Sequence, residues 1–140
     1  ASDTRSSGSV FLDGGYLWKD YQFNARIDLR KGYSFSLHAR YQNDQNYLSC
    51  VYSSDFLRIE EMVDGKKTLL SHWKGNVTPQ NQTVAMRVRG DSVECLLDDR
   101  VVTSAYTDNA LKSGGIGFTT WDPNLLNSEL AVNRVYVEAY

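Results

Sequence analysis

The sequence predicts an all-β fold, a two-sheet antiparallel β-sandwich. Three observations carry this expectation. Apolar and polar residues alternate over many short runs, turn-forming dipeptides separate those runs, and no window of a dozen residues has helical spacing. Alternation with period 2 sends successive side chains to opposite faces, so each run buries one face and wets the other.

Residues 21–29 set Tyr21, Phe23, Ala25, Ile27 and Leu29 against Gln22, Asn24, Arg26 and Asp28. Residues 33–41 set Phe35, Leu37 and Ala39 against Ser34, Ser36, His38 and Arg40. Further runs fall at 47–53, 57–63, 68–73, 83–89, 93–97, 101–105, 115–121 and 130–139. About ten short strands at this spacing indicate a sandwich or barrel. Asp64-Gly65 is a hairpin signal, and Gly90-Asp91 puts Gly first, as a type II′ turn wants. Asn43-Asp44, Asp98-Asp99 and Asp122-Pro123-Asn124 also read as turns. The first and last strands are expected to pair within one sheet.

A chain of 140 residues fits one domain. Residues 1–9, small and polar, read as a flexible N-terminal linker, and residues 10–140 as a single β-sandwich domain. The net charge of −2 lacks the basic footprint of a nucleic-acid binder. No apolar run approaches the ~18 residues of a membrane span. The chain opens without a signal-peptide pattern, so targeting information is expected to be trimmed away or to lie in a larger multidomain parent. Cys50 and Cys95 both sit in apolar runs. Two buried free thiols are the default reading, since unpaired Cys is among the most buried residue types, and a disulfide is the alternative.

Catalytic signals are sparse. Glu60-Glu61 cannot flank one bond from a strand, because neighbouring side chains point apart. His38 and His72 have no G-x-S-x-G nucleophile elbow to serve. Arg89-Gly90-Asp91 matches an adhesion tripeptide, but a hairpin needing Gly explains it. Asn76-Val77-Thr78 and Asn81-Gln82-Thr83 match the N-glycosylation pattern.

Several segments fall in a telling order: Trp18-Lys19-Asp20-Tyr21-Gln22-Phe23, then Phe35-Ser36-Leu37-His38-Ala39-Arg40-Tyr41 with Asn46-Tyr47-Leu48, then Leu57-Arg58-Ile59 before Asp64-Gly65. Residues 84–88 with Gly90 before Val93, Gly114-Gly115-Ile116-Gly117-Phe118 and Val132-Asn133-Arg134-Val135-Tyr136-Val137 complete the set. In this order they resemble laminin-G-like and concanavalin-A-like jelly rolls, above all fructan-binding-type carbohydrate-binding modules. The resemblance implies a jelly-roll sandwich over about residues 16–139, with Trp18 in a structural position. It implies a non-catalytic carbohydrate-binding module of a secreted or surface glycan-active protein, with a poly- or oligosaccharide as partner. The alternatives are an extracellular adhesion domain and a glycoside-hydrolase-like enzyme. Asn133 stands where such families often carry Asp, which argues against a Ca²⁺ site near the last strand. A structural Ca²⁺ elsewhere is motivated by loop carboxylates at Asp13, Asp20, Asp44, Asp55, Asp108 and Asp122.

The expected site follows from alternation. Opposite the apolar set Leu37, Ile59 and Val88, the strands turn out Arg40, Arg58, Glu60 and Arg87, which are expected to share one exposed sheet face. Trp73 and Trp121 are expected at its rim, with Asp122 beside the latter. Forked Arg donors with a Glu acceptor suit sugar hydroxyls, and aromatic rings suit the apolar faces of sugar rings.

Overall fold

The structure, a computed structural model, describes residues 7–12, 19–31, 34–77, 81–107, 111, 113–121 and 129–139. Eleven strands follow one another among them: β1 (Ser7–Leu12), β2 (Tyr21–Lys31), β3 (Ser34–Asn43), β4 (Asn46–Ser53), β5 (Phe56–Val63), β6 (Lys66–Lys74), β7 (Gln82–Arg89), β8 (Ser92–Leu97), β9 (Arg100–Tyr106), β10 (Gly115–Trp121) and β11 (Glu129–Ala139). A six-stranded sheet runs β1-β10-β3-β4-β5-β6, and a five-stranded sheet runs β11-β2-β7-β8-β9. All paired neighbours are antiparallel, so this is the sandwich that the alternation predicts.

The core lies where the sheets face each other. Phe35, Leu37, Leu48, Tyr52, Leu57 and Ile59 come from one sheet, and Phe23, Ile27, Val84, Met86, Val88 and Val93 from the other, all fully buried. Each large side chain removed from water contributes ~1.5–3 kcal/mol. Phe118 packs against Phe23 at 5.1 Å and Phe35 at 5.9 Å between ring centroids, joining the layers. The buried Tyr52 hydroxyl donates to the Ala85 and Leu96 carbonyls, so the bridging ring leaves no polar tip unsatisfied.

The turns follow their residues. Asp64 and Gly65 both take positive φ, 51° and 78°, as do Asp98 and Asp99, at 50° and 65°. Two-residue hairpins of type I′ require that geometry at both positions, and Asp and Gly tolerate it. Gly90 turns β7 into β8 at φ 57°, so Arg89-Gly90-Asp91 is a hairpin turn.

Three expectations are corrected. The first strand begins at Ser7, inside the stretch read as linker, and pairs with β10 from Ser7↔Trp121 to Leu12↔Ile116. Small polar residues carry no strand signal of their own, and the partner strand supplies the hydrogen bonds. The first and last strands do not pair, since β1 joins the six-stranded sheet and β11 pairs β2 in the other. Cys50 and Cys95 are not free thiols but a disulfide, with Cα atoms 5.9 Å apart. Alternation turns both inward, and β4 and β8 belong to opposite sheets, so the bond crosses the core.

Candidate functional site

On the six-stranded sheet, the residues between the core positions form an outer face. Strand β3 contributes Ser34, Ser36 and His38, β4 contributes Tyr47, Ser49 and Val51, and β5 contributes Phe56, Arg58 and Glu60. With Thr119 of β10, Lys67 of β6, Tyr41 and Asp44, they line a groove of about 500 Å³.

His38 sits in the groove floor. Its Nδ1 lies 2.8 Å from Ser49 Oγ and its Nε2 2.6 Å from Thr119 Oγ1, which ties three strands together. Burial, helped by the Lys67 ammonium, pulls its pKa down to about 3, so the ring is neutral at ordinary pH. A neutral imidazole has one donor and one acceptor nitrogen, and it therefore fixes how the two hydroxyls point. Tyr47 meets the imidazole edge-on at 4.8 Å and stacks with Tyr41 at 5.8 Å. The Tyr41 hydroxyl donates to Asp44 Oδ1. Burial and the Asp44 carboxylate raise the Tyr41 phenol above its ordinary value and keep it a donor.

The opposite wall is charged. The Arg58 guanidinium lies 3.9 Å above the Phe56 ring, and its Nε donates to His72 Nδ1 over 2.9 Å. Glu60 Oε1 stands 3.6 Å from Lys67 Nζ. Rings with apolar faces thus adjoin hydroxyl, cationic and carboxylate groups, a mixture suited to a polyhydroxylated ring with apolar C–H faces.

Arg58 and Glu60 therefore share an exposed face, as the alternation predicts. Glu61 points the other way, into the protein, where its Oε2 accepts from Thr107 Oγ1. The rest of the expected cluster is dispersed. Arg40 is buried at 1% exposure. Between Ala39 and Asn43 the β3–β4 register slips, and Arg40 takes φ 46°, so extra residues enter the strand and its phase inverts. Arg40 then follows Ala39 inward while Tyr41 reaches the groove. The Arg40 guanidinium donates to the carbonyls of Lys19, Gly90 and Leu111 and to Asp20 Oδ1, a structural role.

Arg87 lies on β7, in the five-stranded sheet, where it donates to Gln22 Oε1 and Glu94 Oε1. It is on the far side of the sandwich from Arg58. Trp73 pairs with Leu57, a core position, so it stands on the inward side of edge strand β6 rather than at the groove rim. Its ring occupies the space a Cβ would need at Gly75, 2.5 Å away. Residue 121 ends β10 opposite Ser34, and its side chain lies outside the described residues, as do Trp18 and Asp122. No group of three or more His, Cys, Asp or Glu among the described residues is placed to hold a metal ion, and Asp13, Asp108 and Asp122 lie outside them.

Tyr41, Tyr47, Ser49, Phe56 and Thr119 were not among the expected site residues. For Tyr47 and Ser49 the signal existed, since burying Leu48, Cys50 and Tyr52 turns them outward. For Tyr41 it did not, because nothing in the local pattern announces the bulge.

The sequence matches no protein-family model and no curated protein. Solved structures do match. The carbohydrate-binding module CBM66 from Bacillus subtilis superposes with a TM-score of 0.81 at 18% identity, over 99% of this chain and 84% of that one. The galectin LEC-6 from Caenorhabditis elegans gives 0.69 at 9% identity, over 99% of both chains. The fold is a galectin-like jelly roll. A Bacillus licheniformis GH43 protein shares this jelly roll at a TM-score of 0.65 and 12% identity, but the match takes in only 28% of that chain. At such identities the likeness establishes the jelly-roll fold, one used by carbohydrate-binding modules and galectins, and the ligand must be argued from the groove.

Proposed function

We propose that this jelly roll is a non-catalytic carbohydrate-binding domain of a secreted or cell-surface protein, and that its groove on the six-stranded sheet holds the glycan. The observation that carries the reading is the groove lining. Tyr41, Tyr47 and Phe56 supply ring faces or edges, while Ser36, Ser49, Arg58 and Glu60 supply hydrogen-bonding groups within the same 500 Å³. The two carboxylates of the groove are already engaged, Glu60 by Lys67 and Asp44 by the Tyr41 hydroxyl, which supports binding over acid–base work. The disulfide supports an oxidising, extracytoplasmic setting, where such bonds persist.

Affinity gels loaded with fructan, xylan and β-glucan, together with a glycan array, test the reading. Arg58→Ala and Tyr47→Ala are expected to weaken the retained glycan roughly ten- to a hundredfold, about 1.4–2.7 kcal/mol. Arg87→Ala, on the opposite sheet, and Trp73→Ala, on the inward side, are expected to leave binding unchanged. Retention that survives both groove changes rules out the groove as the site. Failure to bind any glycan, with capture of a protein partner instead, favours an adhesion domain. Melting with and without chelator tests the Ca²⁺ expectation, since an ion bound to the folded state alone raises Tm.

A further inference from the structure

Three arginines among the described residues are at least half-buried, and they differ in how their charge is met. Arg40 has Asp20 at 3.3 Å and three carbonyl acceptors. Arg87 has Glu94 at 2.9 Å. Arg58 has no carboxylate partner among the described residues. Its Nε is taken by His72 and one of its faces by Phe56, which fixes the guanidinium plane and leaves the Nη fork to the groove. Of the groove's two carboxylates, Glu60 is paired with Lys67, and Asp44, which accepts from Tyr41, forms no ion pair with Arg58.

We infer that the glycan held in this groove carries an acidic group, a carboxylate or a sulfate ester, received by the Arg58 fork; this rests on the groove being the glycan site. A partly desolvated cation without a counter-charge is costly, and a ligand anion relieves that cost where a sugar hydroxyl does so only in part. The planar fork matches two oxygens of one anionic group, and both Nη atoms can donate at once. Phe56 and His72 hold the fork in place beforehand, so little rotamer freedom is lost on binding.

The test titrates the whole chain with polygalacturonate and its carboxyl-reduced form, and with a sulfated galactan and its desulfated form, alongside neutral fructan and xylan. An acidic polymer is expected to bind at least tenfold more tightly than its neutral counterpart, with the gap narrowing as salt rises. The pair that shows the gap identifies the anion. Arg58→Gln is expected to erase the gap, the acidic polymer losing at least tenfold more affinity than its neutral counterpart. Arg58→Lys, which keeps charge but not the fork, is expected to retain only part of the gap. Equal affinity for acidic and neutral forms overturns the inference and leaves the glycan-binding reading standing, as does a gap that survives Arg58→Gln. Absence of binding to every polymer, neutral ones included, overturns both.

Discussion

Arg40 Nη1 donates to the Gly90 carbonyl over 2.8 Å, tying the bulge of β3 to the turn between β7 and β8 in the other sheet. Asp20 completes the link, accepting from Arg40 Nη2 and from the Gly90 N–H. The Arg40 N–H donates to the Tyr21 hydroxyl at 2.7 Å, and that hydroxyl donates onward to the Gly114 and Gly115 carbonyls. One buried side chain thus organises the end of the sandwich where β2, β3, β7 and β10 meet. Arg40→Ala strands several carbonyl acceptors and is expected to cost ~3–5 kcal/mol, read as a lower urea midpoint at unchanged slope. Arg40→Lys is expected to recover little of this, because an ammonium cannot reach acceptors in several directions as the fork does. A variant that melts like the parent refutes this role.

Gly114 belongs to the same junction. A Cβ there would fall 2.3 Å from the Arg40 carbonyl carbon and 2.6 Å from Tyr41 N, both backbone atoms that cannot step aside as a flexible side-chain end can. Gly114→Ala is therefore expected to lower Tm by far more than the few degrees of an ordinary surface change. Gly90→Ala meets nothing within 4 Å and incurs only the strain of φ 57°, so it is expected to cost on the order of 1 kcal/mol. Thermal melts of the two variants decide whether contact or backbone strain dominates.

The disulfide closes a loop spanning a sequence separation of 45. Loop-closure entropy gives about 4 kcal/mol for that length. The Cys50→Ala, Cys95→Ala double variant is expected to keep its β-type circular dichroism and to unfold at markedly lower denaturant. An unchanged midpoint shows that the bond adds nothing to stability.

His38 makes stability depend on pH. Its folded pKa, about 3, lies below the ordinary 6.5, so between those values the unfolded chain binds the proton and the folded chain does not. Stability from this group is complete above about pH 6.5 and falls as the solution is acidified towards pH 3. The slope approaches ~1.4 kcal/mol per pH unit in mid-window. Carboxylates titrate there as well, so the measurement is a difference: urea midpoints of parent and His38→Gln from pH 7 to 4. The two curves are expected to converge on acidification, and parallel curves contradict the buried neutral ring.

Much of the fold was legible because alternation is a local property. On β5, Leu57, Ile59 and Glu61 go in while Phe56, Arg58 and Glu60 come out, and a strand-by-strand reading of faces needs no knowledge of neighbours. Turn chemistry is local too, so Asp64-Gly65 and Asp98-Asp99 mark their hairpins from the sequence. These two signals determined the all-β class, the antiparallel sandwich and the outward position of Arg58 and Glu60.

Partnership between distant segments was decided only in three dimensions. Which sheet holds β7 separates Arg87 from Arg58, and no pattern within either strand encodes it. The phase inversion at Arg40 comes with register slips of β3 against both β4 and β10, pairings that no local pattern encodes. Alternation sent Cys50 and Cys95 inward, yet only the stacking of two sheets brought their Cα atoms to 5.9 Å. The groove has the same origin. Its residues come from five strands and a turn, and long-range pairing, not local propensity, sets them side by side.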